Sequence, residues 1–128
     1  MRTTPDNVTR LEDNEVFVFG SNRAGRHGKG AALLAKRLFG AQYGTGDGPT
    51  GKCYAIATKS AEMKVLPLNL IASQVDTFLG YAAENPEKTF LVTQIGCGLA
   101  GYAPSEIAPM FKERTPNVIL PSVFHLCL

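Results

Sequence analysis

The sequence has no apolar run approaching the roughly 18 residues that cross a bilayer. Its first stretch, MRTTPDNVTR, also lacks the apolar centre of a signal peptide. These absences predict a cytoplasmic chain with no membrane partner. The three cysteines, Cys53, Cys97 and Cys127, form no CxxC pair, and an odd number fits no disulfide framework, so they are expected to be reduced. With two histidines and no cysteine pair, no metal site of ordinary spacing is expected, and no cofactor is called for. Charge excess is small as well. A net charge of +2 is too mild to argue nucleic-acid binding, which needs clustered rather than merely surplus Lys and Arg. The local cluster is Arg23, Arg26, His27 and Lys29; it could serve a phosphate or form a solvated loop face.

What is present fits one domain, since 128 residues can bury roughly two thirds of their unfolded surface. Hydrophobic content of 45% with 19% charged residues is that of an ordinary globular chain. The organising stretch runs from Glu15 to Phe39. Val16, Phe17, Val18 and Phe19 are continuously apolar, as in a central parallel strand covered on both faces. The turn GSNRAGRHGKG follows, and then Ala31, Leu34, Ala35 and Leu38 recur at helical spacing up to Gly40. A loop between strand and helix aims backbone N–H groups and the positive helix end at one spot, which suits an anion.

Further along, residues 40–52 carry too many glycines for any element and read as a long surface loop. CYAIAT reads as a second buried strand ending at Lys59. Asn69 is a candidate N-cap for a helix striped by Ile71, Val75, Phe78 and Ala82, which Asn85-Pro86 stops. A third strand, Thr89 to Ile95, leads to a second glycine turn, GCGLAGY. The helix after it carries Ile107, Met110 and Phe111, with Pro109 making its first turn irregular. Asn117 to Leu120 and Ser122 to Leu126 read as further strands, and a short edge strand is expected around Val8 to Leu11. Strands alternating with helices predict an α/β fold with a mostly parallel sheet flanked by helices on both faces. Ligands bind such sheets beyond the carboxyl ends of the strands, where both glycine turns and Lys59 fall.

GDGPTGKC nearly matches a phosphate-binding loop. It precedes a strand instead of opening a helix, and Cys53 lacks the hydroxyl that would hold Mg²⁺, so that reading is rejected. Cys97, between Gly96 and Gly98, could be a nucleophile served by His27 or His125, or an inert residue filling space beneath the loop. Lys59 could be a solvated strand end or, if desolvated near other cations, an amine that attacks a sugar carbon.

Taken together, HGKGAALLAKRLFG, YAIATK and IGCGLAGY resemble the macro-domain superfamily. The resemblance is to small phage and bacterial macro-like proteins and to the branch of terminal ADP-ribose protein glycohydrolases and DNA ADP-ribosyl glycohydrolases. It implies a single macro-like domain over residues 1–128 with ADP-ribose, or an ADP-ribosylated protein or DNA, across the strand ends. Gly20, Ser21, Asn22, Gly25, His27, Gly28, Gly30 and Ala31 would form one side of the ligand site. Gly96, Cys97, Gly98, Leu99, Ala100, Gly101 and Tyr102 would form the other. Tyr102 could stack near the distal ribose or brace the loop. Lys59 matches the lysine that attacks the anomeric carbon, implying a hydrolase of ADP-ribosyl linkages. Ala100 stands where the protein-directed glycohydrolases carry an aspartate, which leaves Glu106, Asp47 or the substrate to supply the acid and base. The alternatives are a binder of ADP-ribose without turnover and an enzyme using a water held by Asn22. The usual adenine-binding aspartate has no match, so adenine recognition is unassigned.

Overall fold

The computed structural model describes residues 2–128. The first apolar run becomes β1 (Glu15–Asn22), which lies between β3 (Cys53–Lys59) and β4 (Thr89–Val92). With β2 (Gly48–Thr50) and β5 (Val118–Ile119) the sheet order is β2-β3-β1-β4-β5. Only β2 runs antiparallel to its neighbour. A strand at the centre needs apolar cover on both faces. Phe17 and Phe19 pack with Ala32, Ala35 and Phe39 on the side of α1 (Gly30–Leu38). Val18 faces the other way, into the cluster of Ile71, Val75, Phe78 and Ala82 from α2 (Leu68–Glu84). Each of those four α2 residues is fully buried, as their spacing predicts.

Several expectations need correction. β1 does not stop at Phe19 but continues through Gly20, Ser21 and Asn22, because the ladder with β3 extends that far. Residues 40–52 are not all loop: β2 lies within them, paired with β3 from Gly48↔Ala55 to Thr50↔Cys53. In α1 the buried face is rotated, with Ala32 inside and Leu38 53% exposed. Phe39, just past the helix end, takes the inner space against Phe17 at 5.0 Å between ring centroids. Pro67, rather than Asn69, caps α2. β4 ends at Val92, short of Ile95, since Ile95 N–H turns back to the Thr93 carbonyl at 2.8 Å.

Pro109 behaves as anticipated: α3 (Pro104–Ile107) passes directly into a 3₁₀ turn, Ala108–Phe111. The segment from Ser122 is helix α4 (Ser122–His125), not a strand. Pro121 lacks the ladder donor and presets the first helical turn, which sets Phe124 5.9 Å from Phe111. No edge strand forms around Val8. Instead Thr4 bridges Pro121, with its N–H on the Leu120 carbonyl at 2.9 Å, and so flanks β5.

Candidate functional site

The carboxyl ends of β1, β3 and β4 meet the start of α1 along one edge of the sheet. Ladder registry sets Asn22 beside Lys59 after a register shift at Ser21/Asn22. Thr58 Oγ1 donates to the Ser21 carbonyl at 3.3 Å, and Thr93 Oγ1 donates to the Val18 carbonyl at 2.8 Å, tying the three strands together. Gly20 brings the two glycine turns into proximity: a Cβ there would lie 3.7 Å from the Gly96 amide nitrogen. A Cβ on Gly28, Gly30, Gly98 or Gly101 would meet nothing within 4 Å, so both turns present bare backbone to open space. No side chain caps α1 and no acid sits in its first turn, which leaves its N–H groups available to an anion.

The first turn is held from beneath by two side chains. The Asn22 amide spans the loop, its Nδ2 donating to the Arg26 carbonyl at 2.9 Å and its Oδ1 accepting from Arg26 N–H at 3.0 Å. Each end of that amide thus makes one hydrogen bond within the loop. His27 turns inward and is 1% exposed, edge-on to Phe19 at 5.2 Å. Its Nε2 donates to the Thr45 carbonyl at 3.0 Å, which joins this turn to residues 40–52. Nδ1 is buried with no partner among the described residues. Burial drives the His27 pKa below the ordinary value, more than the Thr45 carbonyl raises it, and Lys36 lowers it further. The ring is therefore a neutral strut under the loop, shielded from solvent.

Backbone lies directly on backbone at this junction. Gly25, at φ 70°, passes so close that a Cβ would sit 2.3 Å from the Gly44 carbonyl carbon. A Cβ on Gly46 would sit 2.1 Å from the Asn22 carbonyl oxygen. Gly44 and Gly46 thus buttress the first glycine turn. Sequence reasoning read this stretch only as a long surface loop.

Lys59 ends β3 half-buried, its carbonyl accepting from Arg23 N–H at 3.0 Å. Among the described residues it forms no salt bridge. Glu106 and Asp47 are the carboxylates expected to assist it. Glu106 Oε1 accepts from Ala103 N–H at 3.0 Å at the start of α3, and Asp47 is exposed beside β2. Ala100 is half-buried and Leu99 is 68% exposed at the tip of the second turn. Tyr102 braces this turn: its hydroxyl donates to the Leu66 carbonyl at 2.6 Å and its N–H to the Gly96 carbonyl at 2.8 Å.

Cys97 is half-buried, and burial, with Cys127 and Glu106 nearby, pushes its thiol up to about 11 from 9.0. It is a thiol, not a thiolate, at neutral pH. Alkylation by iodoacetamide at pH 7 should run about a hundredfold slower than for an unperturbed cysteine, measured by intact mass against time. Rapid modification of Cys97 would reinstate the nucleophile reading.

One part of the site was invisible in the sequence. A cavity of about 370 Å³ lies between residues 5–9 and the start of α1, lined also by Phe17, Leu34, Thr93 and Gln94. It shares Gly30 and Ala31 with the anion loop. The only available signal was Asp6 in an otherwise polar N-terminal stretch, and its partners are distant in the chain.

No protein-family model matches the chain, and no curated protein does. Two solved structures share its fold. One is a protein of unknown function from Bacteroides thetaiotaomicron, 14% identical with a TM-score of 0.62, over 88% of this chain and 89% of that one. The other is a macrodomain protein from Streptomyces coelicolor, 18% identical with a TM-score of 0.56, over 88% and 90%. The five-stranded α/β architecture is therefore a fold that this chain shares with that macrodomain protein.

Proposed function

We propose that the chain binds ADP-ribose along the carboxyl edge of its sheet and releases ADP-ribosyl groups by attack of Lys59. The carrying observation is the bare backbone of Gly28 and Gly30 at the uncapped start of α1, with the approach of Gly20 to Gly96 linking it to the second open glycine turn. Such a surface suits a diphosphate, which takes backbone donors and the helix dipole at close range. The adjoining cavity would take adenine, with Asp6 accepting from its exocyclic amine and Phe17 and Leu34 as apolar walls. The distal ribose would then extend toward Lys59. The resemblance of YAIATK and IGCGLAGY to the terminal and DNA ADP-ribosyl glycohydrolases supports the same orientation.

In this reading the Lys59 amine forms a C–N bond to the anomeric carbon as the bond to the protein or nucleic-acid carrier breaks. A proton from water or from the substrate goes to the leaving group, because Ala100 has none and Glu106 is engaged at α3. Water then hydrolyses the lysine–sugar adduct and restores the amine. The occupied Glu106 and the methyl of Ala100 favour a second reading, binding without turnover.

ADP-ribosylated DNA and ADP-ribosylated protein, each incubated with the wild type and with Lys59→Ala, separate the two. Release should fall by about a hundredfold in the variant while calorimetric affinity for ADP-ribose stays within about threefold, as for a group acting only in the chemical step. Equal release by both proteins would remove the role of Lys59. Binding with no release by the wild type would select the second reading. Failure to bind millimolar ADP-ribose would remove both.

A further inference from the structure

A second cationic site is assembled from parts of the chain that lie far apart in sequence. Arg2, Lys112, Arg114 and His125 line an open groove of about 510 Å³ beside β5, and none of its lining residues is acidic. Three permanent cations there outnumber the net charge of +2 of the whole chain. The fold brings them together in three ways: Thr4 anchors the N-terminal segment against Pro121, the 3₁₀ turn delivers Lys112 and Arg114, and α4 ends at His125.

These charges are only partly satisfied within the molecule. Arg2 pairs with Glu15 at 2.5 Å, yet its side chain stays 54% exposed. Arg114 donates one Nη1–H to the Phe111 carbonyl at 3.3 Å, leaving most of its fork unused. Lys112 is exposed and forms no salt bridge among the described residues, and Glu113 is exposed without lining the groove. His125 Nε2 is buried and meets no hydrogen-bond partner among the described residues. Like charges held around an unpartnered imidazole nitrogen repel one another, and an anion with several oxygens relieves that repulsion. Guanidinium forks and an ammonium together match the oxygens of a tetrahedral phosphate.

The groove is distinct from the glycine turns. Arg2 reaches Glu15, the first residue of β1, whereas Asn22 and the anion loop lie at its last, on the order of 20 Å away along a strand of that length.

We propose that this groove is a second anion site that takes a phosphate ester, independent of the nucleotide cleft. Amide ¹H–¹⁵N spectra of the full chain titrated with inorganic pyrophosphate test it. Residues 112–119 should shift, and Lys112→Glu should weaken that response about tenfold, the loss expected for one charge-assisted contact. An unchanged melting temperature will show that the variant is folded, and Arg114→Gln provides a second, independent weakening.

A short oligothymidylate distinguishes two sources of the ester. Shifts at residues 112–119 that pyrophosphate competes away, with affinity falling steeply as salt rises, identify a phosphodiester backbone. A response to pyrophosphate alone identifies a small phosphorylated molecule. Either result supports the site. Shifts confined to the glycine turns, no shift at residues 112–119 with either probe, or shifts undiminished in both variants would overturn it.

Discussion

Gly46→Ala should lower the melting temperature by roughly 10 °C and abolish the ADP-ribose binding proposed above. The added methyl would lie 2.1 Å from the Asn22 carbonyl oxygen and 2.9 Å from both the Arg23 carbonyl carbon and Cα. All three are backbone atoms, so no rotamer change relieves the overlap and the two segments must separate. Overpacking of this kind costs about 3 kcal/mol, which in a domain of this size is a shift of roughly 10 °C. The segment displaced is the one the Asn22 amide clamps to Arg26, so the anion loop moves with it. Gly98→Ala is the control: its methyl enters open space, and its melting curve should match the wild type. Thermal melts followed by circular dichroism, with calorimetric titration of ADP-ribose, decide the matter. A Gly46→Ala protein melting with the wild type would mean that residues 40–52 do not buttress the loop.

His27→Ala should be almost as damaging, for a different reason. The substitution empties a fully buried site edge-on to Phe19 and leaves the Thr45 carbonyl without its donor. Cavity and lost hydrogen bond together should cost about 3 kcal/mol. The same residue makes stability depend on pH. The folded state holds His27 below its ordinary value of 6.5, so the unfolded chain binds the proton more readily. The contribution of neutral His27 is complete above pH 6.5 and is lost as pH falls from there through the folded value. His125 is also held below 6.5, chiefly by burial, and adds a slope of the same sign. Urea melts at pH 7.5 and 5.5 should therefore show a loss on acidification that His27→Gln reduces but does not abolish. An unchanged pH dependence in His27→Gln would show that His27 carries no linked proton.

The legible parts of the fold were those that one-dimensional pattern controls. β1 and the Ile71, Val75, Phe78, Ala82 stripe followed from periodicity, because each buries a face defined by its own spacing. What periodicity could not reveal was backbone packing. Glycine at positions 25, 44, 46 and 51 reads locally as freedom, whereas in the fold several of these positions are where two chains of backbone touch. The same limit hid the role of His27, whose loop position suggested a ligand contact although its ring is turned inward. It also hid the 370 Å³ cavity and the basic groove, each lined by segments remote in sequence. Ser122–His125 was misread because an apolar stretch that short carries no reliable period, and Pro121 decided the outcome.

The central place of β1 also orders events during folding. Phe17 and Val18 at its middle acquire neighbours on one side only when β3 pairs, and on the other only when β4 arrives and Thr93 reaches Val18, 75 positions later in the chain. Closing so long a span is slow, because the entropy of loop closure must be lost before the contact forms. A nascent chain that has made β3 but not β4 therefore presents one naked edge of a Val-Phe-Val-Phe strand, an edge prone to pairing with other chains. The first glycine turn, although encoded near the beginning of the chain, acquires the surroundings of the proposed ligand site only when these pairings are complete.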